Sequence, residues 1–407
     1  MNLRPVQLII FQGAIMETKN DHSPIKSLQA TNLLEQLIED KSILTGSLLQ
    51  SLMEGVMITD TSGVIKYMNP AFSEITGYGA EAIGLNPRIL KSGKHDLDFY
   101  KQIWESIKQV GQWKGEIWNV RKNGQLYVQW TTITVIRDDC GKALYYTAVF
   151  SDITERIHEE QKLHDDLLLA REVQKGLLTQ PVKEENIHIE GVYLPSIMLG
   201  GDMYAWYKID EHRYGIFLMD VMGHGVASAL VCMSLHSLLK GIINRLIVPE
   251  QVMQELNHHV ISLYRENDSL SRKNYYLTGI YVVVDTKRKK ITYASAGHPP
   301  GFFIDDKGIV TELDSGCIPL GILSEIEVET GVLTYTNKSK IILYTDGLIE
   351  KAGYSTRKSI DSLKELILSN QEDEVDQMLK QILSSLSEIN GSEKFQDDVS
   401  LVITTFT

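Results

Sequence analysis

Two kinds of hydrophobic spacing organise this chain. From Gly55 onward, short apolar runs at 56–59 and 64–67 flank Asp60-Thr61-Ser62-Gly63, a turn-forming set, and predict a hairpin. Short helices follow, one over 70–77, and a longer helical pattern covers 98–110. Three strand-like runs come next, at 113–121, 125–137 and 143–151, parted by Lys122-Asn123-Gly124 and Asp138-Asp139-Cys140-Gly141. Two strands, helices, then three strands is an α+β order. Residues 153–178 hold no proline and little glycine. Their apolar positions Ile153, Ile157, Leu163, Leu167, Ala170 and Leu177 approach a heptad, interrupted by Glu160 and Gln174. That pattern predicts a helix, paired as a parallel two-stranded coil in a homodimer, with a monomeric linker helix lying on the second domain as the alternative. Pro181 stops it. Further on, 214–219 reads as a buried strand, 226–246 as a helix, and 340–345 and 399–406 as strands. Ahead of Gly55, the segment 20–52 carries Leu33, Leu34, Leu37, Ile38, Ile43, Leu44 and Leu48 near helical period, and predicts a helix flanking the first domain.

Composition narrows the class. At 407 residues the chain exceeds one ordinary core, so two or three domains are expected. A net charge of -13 argues against general nucleic-acid binding, which needs a basic face. Cys140, Cys232 and Cys317 lie far apart with no CxxC, which excludes a disulfide framework and suits a reducing compartment. No apolar stretch is expected to approach the length of a membrane span. The short run 6–16 lacks a small-residue cleavage site and is broken by Gln7 and Gln12, so a cytoplasmic protein is expected, with Met16 an alternative start.

The candidate chemistry lies in carboxylates at four strand-end places. Asp220 ends the run 214–219 and precedes Val221-Met222-Gly223-His224-Gly225; Asp202 closes Gly200-Gly201-Asp202; Asp346 ends the strand 340–345 and precedes Gly347; Asp397 and Asp398 precede the final strand. A carboxylate at the end of a buried strand is costly unless its charge is compensated, and a divalent cation is the usual compensator. Four such acids point to a metal site along one sheet edge.

In that order, together with Ala296-Gly297-His298-Pro299-Pro300 and Pro319-Leu320-Gly321, these motifs resemble the SpoIIE-like branch of the metal-dependent PP2C (PPM) serine/threonine phosphatases, over residues 182–407. The resemblance implies an α-β-β-α sandwich holding two Mn²⁺ or Mg²⁺ ions. By the motif matches, Asp220 would bridge both ions, the Val221 carbonyl and Asp202 would serve one, and Asp346 and Asp397 the other, with Asp398 the runner-up for Asp397. It further implies hydrolysis by in-line attack of water, without a phosphoenzyme, on a phosphorylated STAS-type anti-sigma-factor antagonist. The sequence departs from the pattern in places. Ala205 stands where many relatives carry a second aspartate, which predicts weakened tuning of Asp202. Met222 stands where eukaryotic relatives carry a catalytic histidine, no arginine closely precedes Gly200, and His224 and His298 are read as turn residues.

The first domain resembles a PAS module over 45–156, carried by Asn69-Pro70-Ala71-Phe72, Ile75-Thr76-Gly77-Tyr78, Arg121-Lys122-Asn123-Gly124 and Asp152-Ile153-Thr154-Glu155-Arg156. Asn86-Pro87-Arg88-Ile89-Leu90-Lys91 resembles the stretch that bears the photoreactive cysteine of light-sensing relatives, but Pro87 offers no thiol for a flavin adduct. The same stretch, with Trp113-Lys114-Gly115-Glu116, also resembles PAS modules that hold FAD. A core packed without cofactor, with Trp104, Trp113 and Trp118 as ordinary aromatics and His95 in a loop, is preferred to FAD or another ligand. The expected architecture is a multidomain α+β chain: an N-terminal extension over 1–44, the PAS domain over 45–156, the linker helix over 157–181 and the PP2C sandwich over 182–407.

Three competing readings are weaker. Gly200-Gly201-Asp202-Met203-Tyr204 superficially resembles a diguanylate cyclase hairpin, but 181–200 leaves no room for the rest of that site. A histidine kinase using His158 or His164 would need glycine boxes that the sequence lacks. A pseudo-phosphatase, a PAS dimer whose second domain binds its partner without turnover, is kept alive by Ala205.

Overall fold

The structure, a computed structural model, describes residues 44, 46–265, 276–349, 356–390 and 397–406. The run 6–16 lies outside them. So does most of the expected flanking helix, although residues 44 and 46–51 are helical. The chain divides into two compact units, Met1–Lys162 and Leu163–Thr407.

The first unit is built on one antiparallel sheet. Its strands β1 (Gly55–Asp60), β2 (Ile65–Met68), β3 (Gln112–Val120), β4 (Leu126–Arg137) and β5 (Ala143–Asp152) are ordered β2-β1-β5-β4-β3. Between β2 and β3 lie helix α1 (Pro70–Thr76), a 3₁₀ turn at Pro87–Leu90 and helix α2 (Leu97–Val110). Local chemistry sets these boundaries. Asn69 caps α1 by accepting from the Phe72 N–H at 3.0 Å and also accepts from Val56 N–H at 2.8 Å, tying helix to sheet. Gly77 ends the same helix in the left-handed region. The core beneath is filled by Met57, Ile65, Phe72, Leu90, Ala148 and Phe150. His95 has a structural role: its Nε2 accepts from Trp118 N–H at 2.8 Å and its ring stacks on Phe99. Pro87 opens the 3₁₀ turn, where a missing N–H costs nothing.

Helix α3 (Thr154–Leu177) leaves the first unit, and its last turns belong to the second. There, two six-stranded sheets face each other. One comprises β8 (Asp202–Lys208), β9 (Arg213–Val221), β10 (Leu277–Asp285) and β11 (Lys290–Ala296), with the short β14 (Gly316–Cys317) and β15 (Gly331–Thr334) beside β11. The other runs β13-β12-β16-β17-β7-β6, from β6 (Val182–Glu184), β7 (Ile187–Leu194), β12 (Gly301–Ile304), β13 (Val310–Leu313), β16 (Lys340–Tyr344) and β17 (Val399–Thr405). Helices α4 (Val226–Leu246) and α5 (Pro249–Arg265) cover the first sheet, and α6 (Thr356–Ser369) and α7 (Val375–Asn390) the second. This is the α-β-β-α layering that the resemblance implies.

Alternation along the strands sorts residues into three apolar layers. Phe217, Met219 and Val221 pack under α4, whereas Tyr214, Ile216 and Leu218 meet Ile341, Leu343 and Val402 between the sheets. One expectation needs correction. Helix α4 is long and apolar enough by composition to cross a membrane, with a mean hydropathy of 1.7 over its richest window. Its Ala229, Cys232, Leu235, Leu239 and Ile243 are nevertheless buried against the first sheet, which is how a core helix spends that hydrophobicity.

Candidate metal centre

The acids cluster where the layer between the sheets runs out. On β9 the inward residues are Tyr214, Ile216 and Leu218, and the next in phase is Asp220. On β8 they are Trp206 and Tyr204, and the next is Asp202. The register sets Asp202 directly opposite Asp220, and Asp220 opposite Thr278 on β10. From the facing sheet, Thr345 follows Ile341 and Leu343 in phase, and its Oγ1 donates to Asp202 Oδ2 at 2.5 Å. Ser400 is in phase with Val402, and its N–H donates to Thr345 Oγ1 at 2.8 Å. An apolar sandwich layer, aromatic and aliphatic, therefore ends in a polar row contributed by both sheets.

Glycines let the motifs close on one another. A Cβ on Gly201 would lie 2.6 Å from the Val221 carbonyl oxygen, and the Val221 N–H donates to Gly201 O at 3.2 Å. A Cβ on Gly347 would lie 2.0 Å from the Asp398 carbonyl oxygen. The turn after Asp346 thus abuts the Asp397-Asp398 backbone with no room for a side chain.

The two aspartates at the end of the chain differ. Asp398 is buried, and both its oxygens are engaged: Oδ1 accepts from Ser196 N–H and Oγ, and Oδ2 accepts from Gly201 N–H at 2.8 Å. It anchors the loop that delivers Asp202. Asp397 is half-buried, and its Oδ1 accepts the Asp398 N–H at 2.8 Å.

Electrostatics shows that the four acids share one neighbourhood. Asp220 is pushed up to about 7, first by burial and then by repulsion from Asp346, Asp397 and Asp398. Asp202 is raised well above the usual carboxylate range, by burial first and Asp220 next. The largest charge effects on both come from neighbouring carboxylates. An all-oxygen set of half-buried and buried carboxylates that repel one another fits a divalent cation such as Mn²⁺ or Mg²⁺. Ser400 Oγ, buried in the same polar row, makes no hydrogen bond.

Another trio, His188, Glu190 and Asp376, brings its ligand atoms within 4.8 Å of one another. It sits toward the other end of β7, where His188 pairs with Thr405 and not with the Val399 end of β17. Lys183 and Lys380 act on Glu190 there, so these acids have basic compensation of their own.

Residues 210–407 match the family model for stage II sporulation protein E (SpoIIE), and residues 53–155 match that of a PAS domain. The chain joins a PAS domain to a SpoIIE-family PP2C domain. Phosphoserine phosphatase RsbP of Bacillus subtilis (strain 168) is 37% identical over 238 residues, spanning 58% of this chain and 57% of that protein. Phosphoserine phosphatase RsbU of the same organism is 26% identical over 246 residues, spanning 60% of this chain and 71% of RsbU. This chain thus spans little more than half of RsbP. Among solved structures, the SiaA-PP2C domain of Pseudomonas aeruginosa matches with a TM-score of 0.51 at 19% identity, covering 61% of this chain and 99% of that one, a likeness of fold.

The SpoIIE domain revises two expectations. Ala205 is fully buried and packs in the apolar layer under α4, opposite in phase to Asp202. Its methyl faces away from the acids, so it supplies no reason for weakened tuning of Asp202, nor for a pseudo-phosphatase. Gln174 is not in an open coiled-coil seam. It is 1% exposed and lies inside the SpoIIE unit, where its Nε2 donates to Gly200 O. Sequence reasoning also missed Thr345, Thr278 and Ser196. Thr345 was detectable, since it precedes Asp346 and continues the inward phase of Ile341 and Leu343.

Proposed function

We propose that this chain is a metal-dependent protein serine/threonine phosphatase whose SpoIIE domain is regulated by its PAS domain. The observation that carries the reading is the pairing of Asp202 and Asp220 across β8 and β9, beside Asp346 and Asp397, with Asp220 raised to about 7 by burial and then by like charge. Two Mn²⁺ or Mg²⁺ ions, when bound, would neutralise phosphoryl charge and supply a reactive water. Asp220 feels the charges of Asp346, Asp397 and Asp398 and is hydrogen-bonded to Asp202, and would serve both ions. Asp202 and the Val221 carbonyl would hold one, and Asp346 and Asp397 the other. Asp397 is assigned ahead of Asp398 because both Asp398 oxygens already hold the loop 196–201. Thr345 orients Asp202 by its hydrogen bond.

The named phosphoserine phosphatases RsbP and RsbU support this activity. The substrate class proposed is a phosphoserine or phosphothreonine on a STAS-type anti-sigma-factor antagonist, in the cytoplasm, acted on by a homodimer. The test is phosphate release from a serine-phosphorylated STAS protein by the full chain in Mn²⁺. Release from that protein, exceeding release from an unrelated phosphopeptide, is expected. Equal rates on both would remove the substrate assignment, and no release from either would remove the activity.

A further inference from the structure

Two motifs remain without a role in the acid centre, Ala296-Gly297-His298-Pro299-Pro300 and Pro319-Leu320-Gly321, and the structure brings both to the same strand. Leu277 and Leu320 exchange backbone hydrogen bonds, each at 2.9 Å, so the second motif is paired to the residue just before Thr278. Gly297 adopts φ +61°, its N–H donates to Cys317 O at 2.9 Å, and a Cβ there would lie 2.4 Å from Pro319. One motif therefore seats the other, and the residue held between them is His298.

His298 is buried, in the loop that leads from β11 of one sheet to β12 of the other. Its Nδ1 lies 3.1 Å from Thr278 Oγ1, and Thr278 is the register partner of Asp220. On the other side, the backbone of Tyr344, two residues before Asp346, acts on the ring as a hydrogen-bond partner. The Nε2 atom is buried and makes no hydrogen bond of good geometry, so the Tyr344 backbone is its neighbour and not a fully formed partner. Burial pushes the imidazole down to about 3 and keeps it neutral. A neutral ring with its proton on Nε2 directs that N–H toward the Tyr344 backbone and leaves Nδ1 to accept the Thr278 hydroxyl.

We propose that His298 is a positioning residue for the metal centre, joining β10 to β16 so that the acids of the two sheets stand at a fixed separation. The proposal deepens the phosphatase reading and rests on its metal assignment. His298 touches none of the acids and acts through Thr278 on one sheet and Tyr344 on the other. Partners behind a ligand set its orientation, and their loss weakens metal binding by roughly 10–100-fold.

The test is Mn²⁺ affinity by calorimetry, with kcat and KM measured alongside, for His298→Phe, His298→Gln, Thr278→Val and the double variant His298→Phe/Thr278→Val. Each non-polar single variant is expected to bind Mn²⁺ about tenfold more weakly, toward the low end of that range because the effect is relayed. kcat should fall while KM for the phosphoprotein holds. The double variant should lose no more than either single, since both remove one contact. His298→Gln, which can still hydrogen-bond, should recover part of the affinity. If His298→Phe fails to fold, the near-isosteric Thr278→Val carries the test. Unchanged Mn²⁺ affinity in a folded variant, or fully additive losses, overturns the proposal. Wild-type protein that binds Mn²⁺ but releases no phosphate refutes the phosphatase reading alone, because affinity still decides the role of His298. Wild-type protein with no Mn²⁺ affinity overturns both.

Discussion

Gln174 donates from Nε2 to the carbonyl oxygen of Gly200 at 2.7 Å, and its Oε1 accepts from the Tyr193 hydroxyl at 3.2 Å. The last turns of α3 are thereby fastened to the glycine pair that delivers Asp202. Leucine at 174 fills similar space but takes this partner from the buried Gly200 carbonyl and N–H and from the half-buried Tyr193 hydroxyl, at a cost of about 1–3 kcal/mol for each buried group left unpaired. Gln174→Leu is expected to lower the melting temperature of the SpoIIE unit and to reduce the phosphatase rate. Calorimetric melting and a rate assay read the two effects, and a variant with wild-type values in both would show that this fastening does not matter.

Removing all divalent ions should expose the strain among the acids. The folded pKa of Asp220, near 7, lies above its unfolded value, so its contribution to stability is fully present below about pH 4 and is lost as pH rises through 7. Metal-free protein should therefore melt at a lower temperature at pH 7.5 than at pH 5. Asp220→Asn should flatten that difference. Melting curves in EDTA at the two pH values decide; an equal slope in wild type and variant would place the titration elsewhere.

A methyl group at Gly201 would stand 2.6 Å from the Val221 carbonyl oxygen. Gly201→Ala must displace that backbone or the loop 196–201, and overpacking of this kind costs about 1–3 kcal/mol. Activity should fall further than stability, on the order of 100-fold, because small displacements of a catalytic constellation are magnified in rate. Steady-state kinetics on the folded variant checks this, and a loss below fivefold would show that the loop adapts.

The sensor should form no cysteinyl-flavin adduct. Pro87 occupies the start of the 3₁₀ turn, and Cys140, the one cysteine of the first unit, is exposed in the turn between β4 and β5. The absorbance of purified protein should be unchanged by blue light. A flavin band that bleaches and recovers slowly in the dark would contradict this.

Much of the acid centre was legible because a strand alternates with period two. An acid that ends an apolar run in phase with inward residues must lie between the sheets, as Asp220 and Asp202 do. The same parity, applied to Ala205, would have placed it on the opposite face. Gln174 was harder to read. Helical spacing says which residues share a stripe, not whether that stripe meets a second helix or the neighbouring domain, and a buried glutamine in a stripe looks alike in both cases. Asp397 and Asp398 could not be separated by sequence, since adjacent residues differ only in which face they meet. What distinguishes them is the set of donors on the loop 196–201, some 200 residues distant in sequence, that occupies Asp398.

The central claim is that Asp202, Asp220, Asp346 and Asp397 form a divalent-cation centre that hydrolyses phosphoserine. Its most direct test is the rate of phosphate release from a serine-phosphorylated protein, titrated with Mn²⁺, for wild type, Asp220→Asn and Asp346→Asn. Wild type should show a saturable rise that EDTA abolishes, and both variants should stay at the EDTA baseline at every Mn²⁺ concentration while remaining folded. Phosphate release that persists in EDTA, or wild-type rates in either variant at saturating Mn²⁺, would contradict the account.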